Sequence, residues 1–206
     1  MEETLISIAH SPDQRLQLEL LYSEERGLAF RILYDGSLVI SSSGLGIRLE
    51  ADPDERPAEL LDHSLHRLPF GGQELLVSLS KKGQVILVRL FVSDNGIAFR
   101  YEVKGRGEMS ISGERTVFHL GLDASVLSAA SEDEKIGETL IAVPALLEFD
   151  NGLYMSISRI TDTPEESASL RLTEWRRLYF PSTGDLTFLP GADAVTPWWV
   201  ISFTQP

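Results

Sequence analysis

The sequence predicts an all-β fold, an antiparallel β-super-sandwich, on three observations. Apolar and polar residues alternate with period two along most of the chain, as in strands that bury one face. Turn residues interrupt these runs at short intervals, which is the spacing of a sandwich. Only Ala124 to Lys135 has helical composition, and so short a helix is marginal alone, so a loop with a helical turn is expected there. At 206 residues the chain is long for a seven-strand sandwich, so two large sheets in one domain, residues 1–206, are expected.

The strands can be justified in order. Thr4 to His10 opens the chain and ends at the turn residues Ser11-Pro12-Asp13. Leu16 to Leu20 alternates strictly, and Leu28 to Tyr34 follows less cleanly. Asp35-Gly36 then supplies a two-residue hairpin turn into Ser37 to Ile40. Ser41 to Gly46 reads as a small-residue bend before Ile47 to Leu49, and the charged, proline-bearing Ala51 to Pro57 as a loop. Strand signals resume at Glu74 to Ser80 and Val85 to Val92, joined by Lys81-Lys82-Gly83. Asn95-Gly96 is the tight turn between Val85–Val92 and Ile97–Val103, both rich in β-branched and aromatic residues. Glu108 to His119 alternates in part. Late strands are expected at Leu140 to Phe149, Leu153 to Ile157, Leu170 to Leu172, Leu186 to Leu189 and Trp198 to Phe203.

Composition narrows the function. Acidic residues number 31 against 18 basic ones, a formal charge of −13, which opposes binding to nucleic acid or anionic membrane. The absence of cysteine excludes disulfides, thiol catalysis and thiolate metal sites. Met1-Glu2-Glu3-Thr4 lacks the basic and apolar regions of a secretory signal, and no apolar run approaches the ~20 residues that span a bilayer. The compartment stays open: periplasmic or secreted if a signal has been removed, otherwise cytoplasmic.

Candidate chemistry is sparse. Glu132-Asp133-Glu134 with Glu138 offers carboxylates to a hard cation but lacks the spacing of an EF-hand loop. Glycoside cleavage needs two carboxylates about 5–10 Å apart, and no spacing here marks such a pair. His63 and His66 have no third ligand in view for zinc. Trp175, Tyr179, Phe180, Trp198 and Trp199 cluster late in the chain, and aromatic rings are the usual stacking surface for sugars. In a regular strand Trp198 and Trp199 face opposite sides, so one belongs in the core. Trp175 and Trp199 are the candidate glycan contacts.

The segment Ser93-Asp94-Asn95-Gly96-Ile97-Ala98-Phe99-Arg100-Tyr101-Glu102-Val103 resembles the N-terminal β-domain of the family 97 glycoside hydrolases, α-glucosidases and α-galactosidases. Other pieces are similar in the same order: Ser11-Pro12-Asp13 before an alternating strand, Tyr34-Asp35-Gly36, and Ser43-Gly44-Leu45-Gly46-Ile47. Asp150-Asn151-Gly152-Leu153-Tyr154-Met155-Ser156-Ile157-Ser158 resembles the family's "dGlYlaisEa" strand, and Thr196-Pro197-Trp198-Trp199-Val200-Ile201 its closing "TPWR-i" segment. Nearly the whole chain is covered.

The resemblance implies a galactose-mutarotase-like sandwich. It also implies a non-catalytic, carbohydrate-associated domain that packs on a (β/α)₈ barrel and shapes its active-site mouth. The chain stops at Pro206, soon after the closing motif, so a domain of a hydrolase or a free-standing relative without the barrel is expected, and no hydrolysis by this chain alone. Trp175 or Trp199 would then touch either a barrel or a glycan. The resemblance also implies that this domain lends an acidic side chain to a calcium site at the barrel mouth, and it matches Glu138, in Ile136-Gly137-Glu138, to the place of another family glutamate, which makes Glu138 the candidate metal ligand. Two positions depart from the pattern: Arg159 replaces the glutamate of "isEa", and Trp199 replaces the arginine of "TPWR". Alternatives are a stand-alone sugar-binding or protein-interaction module, and a mutarotase-like epimerase, which needs a histidine and a carboxylate facing one groove.

Overall fold

A computed structural model describes residues 2–49, 56–69, 71–104, 109–128, 130–133, 138–160, 169–173, 176–179, 186–188 and 193–205. The first strands are β1 Thr4–His10, β2 Leu16–Ser23, β3 Gly27–Tyr34, β4 Ser37–Gly44, β5 Ile47–Leu49, β6 Glu59–Arg67 and β7 Gln73–Lys81. There follow β8 Gln84–Ser93, β9 Gly96–Lys104, β10 Met109–Glu114, β11 Val117–Leu120, β12 Ala124–Val126, β13 Ala130–Asp133 and β14 Glu138–Ala142. The last are β15 Ala145–Phe149, β16 Tyr154–Ile160, β17 Ser169–Leu172, β18 Arg177–Tyr179, β19 Leu186–Phe188, β20 Ala194–Val195 and β21 Trp198–Thr204.

Two large sheets stack, with a small third beside them. The first runs β1-β2-β3-β4-β11-β18-β17-β14-β13, and the second β12-β15-β16-β21-β9-β8-β7-β6, with β20 also pairing β9. The third is β19-β10-β5. All described pairings are antiparallel. This is the super-sandwich expected from the alternation.

Turn chemistry sets the registers. Asp35 and Gly36 have φ of 48° and 76°, and Lys82 and Gly83 have 50° and 76°, the left-handed pairs of two-residue hairpins. The β8–β9 hairpin differs from the expectation. Ser93 pairs with Gly96, so its turn residues are Asp94 and Asn95. Gly96 is instead the first residue of β9, where glycine is needed for another reason: a Cβ there would sit 2.1 Å from the Ile201 carbonyl oxygen of β21.

Four local expectations are corrected. Ser41 to Gly44 continues β4, because Ser41 pairs with His119 and the Ser43 hydroxyl accepts the His119 N–H at 2.8 Å. Within the Ala124–Lys135 stretch the described residues form β12 and β13, since pairing with β15 and β14 overrides a weak helical composition, and residues 129, 134 and 135 lie outside the described residues. Leu140 to Phe149 is two strands in different sheets, parted at Val143-Pro144, which is a cis peptide. And β6 occupies a segment with no clear alternation, because it lies at a sheet edge with most side chains exposed. Residues 51–55 of the expected loop lie outside the described residues.

The core lies between the large sheets. Phe30 of β3 and Phe118 of β11 come from one layer, and Phe99, Tyr101 and Trp199 from the other. Their ring centroids stand 6.0 to 6.3 Å apart, tilted or edge to face, the geometry aromatic pairs prefer. Leu75, Val77, Val88, Leu90, Met155, Ile157 and Ile201 extend the same inner surface.

Candidate functional site

Period two places a second set of side chains on the outer face of the second sheet. Starting at its edge, His66 of β6 is paired with Glu74 of β7. The Glu74 carboxylate accepts a hydrogen bond from Arg89 of β8. Arg89 Nε also donates to Glu102 Oε1 of β9 at 3.0 Å, and Arg100 Nη2 donates to the same oxygen at 2.7 Å. Arg100 then lies over the Trp198 ring of β21, 4.5 Å from its centroid, and Phe91 packs 5.4 Å from Trp198. The result is a row of paired charges from β7 through β8 to β9 that ends on the aromatic platform of β21, with His66 beside it on β6, its Nε2 2.9 Å from Ser64 Oγ.

Burial opposes ionisation of Glu102, but the hydrogen bonds from Arg89 and Arg100 outweigh it and hold its carboxyl below the usual range. The same bond to Glu102 raises Arg89. Such a face combines fixed planar hydrogen-bonding groups with a half-buried indole. Chemically it suits polyhydroxylated ligands or a polar partner surface, since rings take C–H faces and ionic groups take hydroxyls.

The inner face carries a second polar cluster. Trp199 Nε1–H donates to Glu114 Oε2 at 2.6 Å, and Arg159 Nη2 lies 3.4 Å from Glu114 Oε1. The two side chains of that ion pair are 8% and 3% exposed. Thr116 also bonds the Glu114 carboxylate. The Tyr101 hydroxyl lies 2.7 Å from Thr116 Oγ1 and accepts the Gly46 N–H at 2.9 Å. Burial raises the Glu114 carboxyl above the usual range even with Arg159 beside it, and burial likewise raises Tyr101. This cluster ties the small third sheet to β16 and β21.

The residues singled out from sequence fall as follows. Trp199 is fully buried, edge to face with Phe118, so it is a core side chain and offers no face to a glycan in this chain. Its neighbour Trp198 takes the outer face, as strand alternation requires. Trp175 lies outside the described residues. Glu138 begins β14 and its backbone pairs with Asp133, though its side chain is also outside what is described. No three His, Asp or Glu among the described residues gather as a metal site, so these residues alone do not supply the about 6–8 oxygens that calcium takes. His63 and His66 are exposed on β6, and His119 Nδ1 is 2.7 Å from the Ser42 carbonyl. A cleft of about 790 Å³ opens beside Tyr22, Glu59, Leu60 and Lys81, with no histidine in its described lining. Sequence reasoning missed Arg89, Arg100 and Glu102 as a group, although the alternation across two adjacent predicted strands already put them on one face.

A family model described as Glycosyl-hydrolase 97 N-terminal matches residues 9–205. A search of curated sequences returns no match. Among solved structures, the chain is similar to a glycoside hydrolase family 97 enzyme from Pseudoalteromonas sp. strain K8 in complex with acarbose. Identity is 18% and the TM-score 0.76, over 97% of this chain and 36% of that one. A β-arabinopyranosidase is similar at 19% identity and TM-score 0.79, over 96% of this chain and 40% of that one. A putative aldose 1-epimerase from Escherichia coli K12, at 8% identity and TM-score 0.59, is covered along all of both chains. The chain thus spans well under half of the two glycosidases, and these likenesses show the super-sandwich fold. The match over residues 9–205 decides the family: the chain belongs to the glycosyl-hydrolase 97 N-terminal family.

Proposed function

We propose that this chain serves as the non-catalytic β-domain of a glycoside hydrolase, packing on a catalytic barrel and shaping its active-site mouth. The observation that carries the reading is the family match along residues 9–205, nearly the whole chain. Supporting it, the outer face of the second sheet presents Trp198, Arg100 and the Glu102 carboxylate as a pre-formed polar and aromatic surface. Ion pairing fixes these side chains before any partner arrives, which lowers the ordering cost of docking. The surface serves either the barrel or its glycan. Glu138, contributed from β14, is the residue of this chain proposed to approach a calcium ion, with most ligands supplied by the barrel.

The test has two parts. The 206-residue chain should not hydrolyse nitrophenyl α-glucoside or α-galactoside. Added to a family 97 barrel prepared without its own N-terminal domain, it should bind, and Trp198→Ala should weaken binding about tenfold, the loss of one well-packed aromatic anchor. Hydrolysis by the chain alone would overturn the reading.

A second reading, a mutarotase-like epimerase, is favoured by the pairing of His66 with Glu74. Against it, Glu74 is already engaged by Arg89 and His66 is exposed. Polarimetry decides: faster mutarotation of galactose or glucose, lost in His66→Ala, would replace the first reading.

A further inference from the structure

We propose that the free edge of β6 pairs with a second copy of this chain, antiparallel and centred on Ser64. This does not rest on the hydrolase reading. Among the described residues β6 ends the second sheet and pairs with β7 alone. It carries two large exposed apolar side chains, Leu61 at 56% and Leu65 at 42%. Unpaired strands of this length are templates for another strand.

The geometry selects the register. The His63 N–H donates to its neighbour Asp62 Oδ1 at 2.8 Å, so it points away from β7 toward the open edge. Alternation puts the Leu65 N–H on that same side. A bulge between Leu60 and Asp62 shifts the register, leaving Asp62 to Arg67 as the regular stretch. A two-fold axis through the sheet keeps inward side chains opposite inward ones, so the centre falls on His63, Ser64 or Leu65. Centring on His63 sets imidazole against imidazole and runs into the bulge at once. Centring on Leu65 sets His63 against Arg67, with no opposite charge. Centring on Ser64 sets Asp62 against the other copy's His66 twice and His63 against its Leu65 twice. Ser64 then meets itself at the narrow, non-hydrogen-bonded position, where Cα atoms approach to about 4.5 Å and a small side chain fits. His63 and Leu65 exchange their outward backbone hydrogen bonds. In the free chain Asp62 covers the His63 N–H, and on pairing its carboxylate moves to His66.

So short an edge buries less than the ~1,200 Å² of a stable interface, and the dimer should be weak, with Kd on the order of 10–100 μM. Sedimentation equilibrium of the 206-residue chain, from about 1 to 500 μM around that Kd, tests it. The wild type should dimerise, Asp62→Lys should weaken the dimer at least about tenfold, and adding His66→Glu should restore it. Leu65→Pro removes an N–H that β7 does not use, so it should abolish dimerisation while the melting temperature changes little. If Leu65→Pro unfolds the chain, the Asp62 and His66 exchange decides. A monomer at every concentration, a dimer indifferent to Leu65→Pro in a folded chain, or no restoration by the charge exchange would overturn the proposal.

Discussion

Arg159 and Trp199 stand directly opposite each other across β16 and β21. They are also the two positions where the resemblance to the family's motifs breaks, a glutamate and an arginine being expected there. In this chain Arg159 and Trp199 share one carboxylate, that of Glu114 of β10. Burial dominates the Glu114 carboxyl, so its hydrogen bonds, more than its charge, should carry its stabilising role. Glu114→Ala leaves the Trp199 N–H without its acceptor and should cost about 3 kcal/mol, whereas Glu114→Gln, which keeps an acceptor, should cost about 1 kcal/mol. The pH dependence separates charge from shape. The folded carboxyl titrates above 4.5, so the folded state holds its proton more tightly than the unfolded chain. Stability from Glu114 is complete below 4.5 and is lost as pH rises through the raised value. Glu102 runs the opposite way, losing stability as pH falls below 4.5 through its lowered value. Urea midpoints followed upward in pH from about 4 should fall in the wild type and not in Glu114→Gln. Equal slopes would refute it. That Trp198 and Trp199 face opposite sides was legible from alternation, but which one is buried was not, since Trp199, the expected glycan contact, is the core residue. Its partner 85 residues away in sequence was not legible either, because nothing local marks Glu114 as buried.

Strands announced themselves where one face is buried. In β2, Leu16, Leu18 and Leu20 are buried while Gln17 and Glu19 are only partly so, and in β7 Leu75, Val77 and Leu79 repeat the pattern. β6 has no buried face and β12 is three residues long, so neither produces a periodic signal. Glycines carried the turn signal unequally. Asp35-Gly36 is a hairpin by local chemistry, but Gly96 is fixed by the approach of β21, which arrives a hundred residues later. The family likeness of that hairpin therefore reports a tertiary contact as well as a turn. Gly96→Ala must push the Ile201 carbonyl away, since 2.1 Å is far inside van der Waals contact, and a φ of 138° is itself strained for alanine. The cost should be about 3 kcal/mol or more, read by urea unfolding. Amide exchange should quicken at Ile201 and Ser202, which pair with Ile97 and Gly96, before it quickens in β7. Uniform loss of protection would mean that β21 docking is not what Gly96 permits.

The last strand in sequence lies in the middle of the second sheet. β21 sits between β16 and β9, and Trp199, Ile201 and Phe203 face the core. β1, the first strand, lies at the edge of the other sheet, with Ala9 its only fully buried side chain. Seven residues at either end should therefore have unequal weight. Removing Trp198–Thr204 strips three buried side chains, worth about 1.5–3 kcal/mol each, and opens two strands to water. That sum is comparable to the whole ~5–15 kcal/mol by which a domain is stable, so the truncated chain should not fold. Removing Thr4–His10 deletes an edge strand, and the remainder should fold with a lower melting temperature. Far-UV and near-UV circular dichroism of both truncations checks this. A β21 deletion with native near-UV signal would show that the two sheets do not depend on the aromatic cluster between them, since Trp199 is the member of that cluster contributed by β21.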